Sequence, residues 1–420
     1  MAATPTSPGA PDTATGEPTA PIPRRWVTYW TLANFGVFLA FYASQQILIP
    51  RHAGEVTADD AGSVWAQSVA NIAAAAVGVV VPIIVGVMSD RTTHSRGRRQ
   101  IWVAAGVVIA AVGLILQGTQ QTVPGLVLMW AFTQIGLSAS TAALNAAVPD
   151  EVPVAQRATV SAWFGVAQSL GPLIGIALVA TVLTGILPAY LAMALLLALF
   201  ALPFALRTRG AVLPPGRMPK ATVGSVLAGI IAPLRHSDFA WAWAGRFLIQ
   251  LSNALGQIYL YQYLKDRVGF DPDLGTLILV VVYAVSVTAA ALPTGRISDR
   301  TGRRKRMIVI ASVLQGAAGL LFAFVPTMPA AIAGAAILGI GYGSYIAVDQ
   351  ALVTQVLPRP EHRGKDLGVI QIANTVPYVF AAAVGGFVIN ELGGYVTLYL
   401  LVLATAVVAA LCVKPIKGVR

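Results

Sequence analysis

Long unbroken apolar runs separated by short polar turns make up this chain, and neither the alternation of a strand nor the single stripe of a soluble helix describes them. Ala104 to Leu116, for example, is apolar throughout. Twelve such runs fall near 26–49, 63–85, 101–121, 124–147, 159–183, 186–206, 239–264, 273–293, 307–325, 329–355, 367–389 and 394–413. A helix rises about 1.5 Å per residue, so roughly 20 apolar residues cross about 30 Å of hydrocarbon. Transmembrane strands would alternate over about 10 residues instead. The pattern predicts an all-α membrane protein with twelve transmembrane helices in two pseudo-symmetric six-helix bundles.

The division into halves rests on a repeat. Ser89-Asp90-Arg91 returns as Ser298-Asp299-Arg300, each behind a glycine (Gly86, Gly295) and each followed by Gly-Arg-Arg. The expected organisation starts with a disordered tail over 1–23, rich in Pro, Thr and Ala. One bundle follows over 24–206, then a polar linker over 207–238 containing Pro214-Pro215-Gly216, a second bundle over 239–413 and a short tail over 414–420. The first tail lacks the apolar core of a signal peptide.

Composition supports the membrane reading: 56% of residues are hydrophobic and 11% charged, against about 25% charged in soluble domains. Of 28 Lys and Arg, 24 fall on one predicted face, and only Arg51, Lys265 and Arg267 fall on the other, with Arg246 inside a span. Basic residues are retained on the cytoplasmic side during insertion, so both termini are expected in the cytoplasm of a cell whose plasma membrane holds the chain. The net charge of +11 is then a topology signal, and no nucleic-acid partner is expected. Cys412 is the single cysteine, and His52, His94, His236 and His362 fall in predicted loops without ligand spacing. No metal, no cofactor and no enzymatic activity are expected. A phosphate loop of the GxxxxGK type is absent, which points to a gradient rather than ATP as the energy source.

Polar side chains inside the runs locate a site, because in hydrocarbon they must face protein or water. Gln134, Ser138, Thr141 and Asn145 are spaced 4, 3 and 4 apart in the fourth run, and Arg246, Gln250, Asn253 and Gln257 repeat that spacing in the seventh. At about 100° per residue each set occupies one helix face. The first run offers Asn34 and Gln45, and the tenth offers Tyr342, Tyr345 and Asp349. Gln67 and Asn71, Gln168, and Gln371, Asn374 and Tyr378 add to the second, fifth and eleventh, while the third, sixth and twelfth are nearly bare and are expected to face lipid. The expected substrate contacts are therefore Asn34, Gln45, Gln134, Ser138, Asn145, Gln168, Gln250, Asn253, Gln257, Tyr345, Gln371 and Asn374. Interhelical glue is the competing use of such amides.

Asp349 is the one acid well inside a predicted run. Arg246 should lie at similar depth, so the two are expected to pair. Such a carboxylate could exchange its guanidinium partner for a proton as a cavity opens, or the pair could be a fixed tie between helices. Trp26 and Trp30, and Trp241 and Trp243, stand at the starts of equivalent runs and are expected to anchor at the membrane interface.

Six plus six runs, a central linker, and the loop Gly-x-x-Ser-Asp-Arg-x-Gly-Arg-Arg between the eighth and ninth runs resemble the major facilitator superfamily across residues 24–413. The resemblance implies that Asp90 and Asp299, with Arg91 and Arg300 beside them, latch the halves on the cytoplasmic side, and that Gly86 and Gly295 permit close helix approach. The longer first loop, and Ala147-Val148-Pro149-Asp150-Glu151-Val152-Pro153, are similar to the sugar and glycoside cation symporters. Gly171-Pro172-Leu173-Ile174-Gly175 is similar to part of a motif of proton antiporters that expel drugs. The expected function is alternating-access, proton-coupled transport of a small polar solute of the sugar or glycoside type by a monomer in the lipid bilayer. Proton-driven export of drugs or natural products is the alternative, and a channel or membrane sensor is a lesser one.

Overall fold

The computed structural model describes residues 20–210, 236–356 and 363–416, together with Pro18. Most of the expected tail over 1–23, linker over 207–238 and end over 414–420 thus lie outside the described residues.

Helices follow the apolar runs: α1 (Arg24–Ala43), α2 (Ile49–Val56), α3 (Asp60–Asp90), α4 (Gln100–Gln117), α5 (Val123–Glu151), α6 (Val154–Thr181) and α7 (Ile186–Arg207) in the first half. The second half contains α8 (Ser237–Ile258), the short α9 (Leu260–Tyr263), α10 (Pro272–Thr301), α11 (Arg304–Phe324), α12 (Met328–Val356), α13 (Arg363–Glu391) and α14 (Gly394–Cys412). No strand occurs among the described residues. Side-chain oxygens close several helix starts, with Asp59 accepting from the Gly62 N–H, Thr122 from Gly125, and Asp271 from Asp273 and Leu274. The α10 end is closed by Gly302 in the left-handed region at φ 64°.

Among the described residues, eleven helices are long and apolar enough to cross a membrane. The seventh predicted run, on α8, is not one of them. Its Arg246, Gln250, Asn253 and Gln257 are the reason, since they lower the hydropathy of a helix that is nonetheless buried along most of its length. The first crossing is longer than its run, spanning Arg24–Val56 through a π-turn at Ser44–Leu48 that joins α1 to α2.

The packing of one half recurs in the other. Helix α5 packs on α3 and α4, α4 on α7, and α1 on α6 and α7; likewise α12 packs on α10 and α11, α11 on α14, and α8 on α13 and α14. Small residues set the closest crossings: Gly136 of α5 lies so near Gly106 and Ala110 of α4 that a methyl group there would overlap their backbone. Gly86 and Gly295 do not have this role in the structure. A methyl on Gly86 would meet nothing within 4 Å, and one on Gly295 would make ordinary contact with Ala347 at 3.8 Å.

Two aromatic expectations also change. Trp26 and Trp30 are buried, stacked at 6.0 Å, and donate to Glu151 Oε2 (2.5 Å) and Leu144 O (2.9 Å). They tie α1 to α5 instead of sitting at a lipid interface, whereas Trp241 is exposed. His52 lies on α2, not in a loop, with Nε2 2.9 Å from Gln120 O.

Candidate functional site

Arg24, Arg207, Ser237 and Cys412 mark one end of the bundle, the terminal face; Arg51, Asp60, Asp273 and Asn390 mark the far face. The two halves meet at the far face. Arg51 Nη2 pairs with Asp273 Oδ1 at 2.7 Å, Lys265 Nζ with Asp60 Oδ1 at 2.7 Å, and Gln67 Nε2 donates to Ile258 O at 2.8 Å. Ser68 Oγ and the Tyr259 hydroxyl are 2.8 Å apart, Asn390 Nδ2 donates to Ala61 O, and Gly386 lies against Ser68 so closely that a methyl group would overlap its hydroxyl. Arg51 also donates to the carbonyl of Val179 in the last turn of α6 and to those of Leu183 and Thr184 just beyond it. These ion pairs and hydrogen bonds join the two halves at the far face. On the terminal side of α6, Trp163, Gly165, Val166, Gln168 and Ser169 are exposed.

Beneath this seal a cavity of about 250 Å³ lies between the halves. Tyr42 of α1 and Gln45 and Gln46 of the π-turn form one wall with Gln168, Ser169 and Pro172 of α6. Asn253 and Gln257 of α8, Tyr283 and Thr288 of α10, Tyr342 of α12 and Tyr378 of α13 form the other. The π-turn adds a residue to its turn, and that extra residue turns two successive glutamines inward. Tyr283 O–H donates to Asn253 Oδ1 at 3.0 Å, and Gln257 Nε2 donates to the same oxygen at 3.1 Å. The Tyr283 and Tyr342 rings stack at 6.3 Å. Among the described residues, no Asp, Glu, Lys, Arg or His lines this cavity.

Charge sits one side-chain layer behind the wall. Arg246 Nη1 pairs with Asp349 Oδ2 at 2.8 Å, Arg246 Nε donates to Asn374 Oδ1 at 2.8 Å, and Gln250 Nε2 reaches that oxygen at 3.3 Å. Tyr345 O–H donates to Asp349 Oδ1 at 2.6 Å, and its ring lies 6.3 Å from that of Tyr342 in the wall. Asp349 is 4% exposed and Arg246 6%, and neither is among the residues that line the cavity. A buried pair with these hydrogen bonds is held, and removing one partner would strand the other charge.

The predicted contacts thus separate into groups. Gln45, Gln168, Asn253 and Gln257 line the cavity. Gln250, Tyr345 and Asn374 surround the ion pair instead. Asn34 is turned away, donating to Trp30 O in its own helix, and Gln134 and Ser138 face Gly78 of α3. Asn145 is exposed beyond this cavity, and the Gln371 side chain lies outside the described residues. Helix α5 therefore contributes nothing to this wall, because its polar stripe packs against a small-residue face. Tyr42, Gln46, Ser169, Tyr283 and Thr288 are lining residues that the stripe pattern missed. The eighth run did carry a signal, since Tyr283 and Thr288 interrupt an apolar stretch.

At the terminal face, Arg98 and Arg99 both pair with Asp150, Arg99 Nε at 2.7 Å, and Arg99 also donates to Ser89. These arginines of the repeated loop therefore grip α5 within their own half. Arg300 is exposed, and the side chains of Asp90 and Asp299 lie outside the described residues.

The profile described as Major Facilitator Superfamily matches residues 25–285 and 242–417. An "Uncharacterized MFS-type transporter YfiU" of Bacillus subtilis is 27% identical over 128 residues, covering 30% of this chain and 24% of that protein. The "Inner membrane metabolite transport protein YgcS" of Escherichia coli is 35% identical over 154 residues, covering 35% of this chain and 29% of that protein. The chain thus spans less than a third of the length of either relative. In shape it is similar to the nucleoside transporter NupG, with a TM-score of 0.73 at 15% identity over 94% of this chain and 100% of the other. A bacterial homolog of the human lysosomal transporter Spinster, solved inward-facing and unoccupied, gives a TM-score of 0.65 at 15% identity over 94% of this chain and 95% of the other. At these identities the likeness establishes the fold.

Proposed function

The chain belongs to the major facilitator superfamily, and we propose that it is a secondary active transporter carrying a small neutral polar solute, of the sugar or glycoside type, driven by protons. The single observation that carries this reading is the cavity wall itself. Five amides, four phenols and two aliphatic hydroxyls line it, and among the described residues no ionic group does. Such a wall offers many donors and acceptors to a hydroxyl-rich solute and a flat face to its ring. It offers nothing to neutralise a lipophilic cation, which weighs against drug export.

The mechanism is alternating access. The far face is closed by the Arg51, Ser68 and Lys265 contacts while the cavity lies toward the terminal face, which the distribution of Lys and Arg assigns to the cytoplasm. Reopening the far face requires those contacts to part. Asp349 supplies the coupling: a proton on its carboxyl removes the attraction for Arg246, frees Asn374 and Gln250, and loosens the wall through Tyr345 and Tyr342. The solute and the proton thereby bias one equilibrium between two states.

The test is flux into proteoliposomes under an imposed pH gradient, with sucrose, methyl glucosides, uridine and a lipophilic cationic dye as separate probes. Accumulation of a neutral probe that collapses with the gradient is expected. Gradient-driven movement of the dye alone, or downhill equilibration without accumulation, would refute the reading.

A further inference from the structure

A second cavity, of about 570 Å³, opens between the start of α1 and the start of α6 at the terminal face. It is separate from the central one. On α6 the central cavity takes Gln168, Pro172 and Ile176, whereas this groove takes Val160 and Trp163. Trp163, Val166, Leu170 and Ile174, spaced 3, 4 and 4 apart, share a different helix face and are all exposed, at 40–49%. An exposed apolar stripe on a membrane helix faces acyl chains, and the groove lies at the end of that stripe.

Its chemistry runs in a definite order. Arg24 stands exposed at the mouth, Thr28 and Thr31 follow at successive turns, and Leu32 lies deepest, about 12 Å along the helix from Arg24. Among the described residues no carboxylate pairs with Arg24. Thr28 spends its hydroxyl proton on Arg24 O, but the Thr31 hydroxyl is buried without a partner. A cation outside, a free hydroxyl donor next and an apolar slot within is the polarity of a phospholipid seated at the edge of its leaflet. A guanidinium also binds phosphate oxygens in a fixed fork.

We propose that this groove holds an anionic phospholipid from the leaflet at the terminal face, its phosphate on Arg24 and Thr31 and one acyl chain along Leu32, Val160 and Trp163. The continuity of the apolar slot with the stripe on α6 selects a lipid over free phosphate. Basic grooves between transmembrane helices are suited to such headgroups.

The full chain in vesicles of phosphatidylcholine and phosphatidylglycerol, with brominated chains on one lipid at a time, provides the test. Subtracting the signal of Trp163→Phe isolates quenching of Trp163. Brominated phosphatidylglycerol should quench it at a mole fraction about fivefold lower than brominated phosphatidylcholine. Arg24→Gln should abolish that preference, Thr31→Val should weaken it, and Arg25→Gln should retain it. Equal quenching by both lipids, no quenching that depends on Trp163, displacement by millimolar inorganic phosphate, or an intact preference in both Arg24→Gln and Thr31→Val would each overturn the proposal. Thr31→Val serves alone if Arg24→Gln does not fold.

Discussion

Replacing Asp273 by Asn should open the far face, and the two ion pairs there allow the size of the effect to be set in advance. The Arg51–Asp273 pair is enclosed, with side chains 10% and 25% exposed, whereas Lys265 and Asp60 are 46% and 65% exposed. An exposed pair contributes about 0–1 kcal/mol, and stranding one charge of a fully buried pair costs about 3–5 kcal/mol. Arg51 keeps three carbonyl partners after the substitution, so its loss lies between, near about 1.5 kcal/mol, or about tenfold in population. Asp60→Asn should change the same population less than about fivefold. The assay places a cysteine at Val64, which is 1% exposed beneath the seal, in a Cys412→Ala background. Its rate of labelling by a membrane-impermeant maleimide from the far side reports opening. Equal rates for Asp273→Asn and the parent, or equal effects of the two substitutions, would falsify the assignment of Arg51 as the principal tie.

Asp349→Asn should lower the thermal midpoint by the equivalent of about 3 kcal/mol, because Arg246 is left charged and buried, and should abolish proton-driven accumulation; adding Arg246→Gln should restore much of the stability but none of the coupling. Tyr283→Phe removes a hydrogen bond to Asn253 that also orients Gln257, and should weaken solute affinity by about 1 kcal/mol in binding measurements while leaving the midpoint nearly unchanged. Gly386→Ala should raise maleimide labelling at residue 64 more than Asp273→Asn does, since its methyl would overlap Ser68. Burial raises the Asp266 carboxyl above its usual range, against an opposing hydrogen bond from Tyr395. Its folded form therefore favours the proton, and the stability it contributes at low pH is lost as pH rises through that raised value; a midpoint-versus-pH curve should show this decline, and Asp266→Asn should flatten it.

Much of the architecture was legible because a bilayer imposes one length and one polarity on each crossing. The pairing of Arg246 with Asp349 was also legible, from depth alone. The cavity wall was only partly so, and the reason is physical. A polar stripe identifies the face that avoids lipid, but does not distinguish an opening from a neighbouring helix. Gln134 and Ser138 have the spacing of Asn253 and Gln257, yet Gly78 brings α3 against them. Gln46 was hidden because the π-turn breaks the 100° phase on which the stripe was drawn. Arg51 appeared only as an exception to the placement of basic residues, and its value as a cross-tie depends on Asp273, more than two hundred positions away in sequence.

The π-turn at Ser44–Leu48 has a mechanical consequence. It carries the glutamines that face the cavity and leads into the arginine that clasps the opposite half, so both are mounted on a single shaft whose rotational phase is set by one inserted residue. If that bulge relaxed into a regular helix, everything beyond it would swing by about 100°, carrying Arg51 off Asp273 and Gln46 out of the wall in the same stroke. Contents and closure would then respond to one crank, without any signal having to travel between helices.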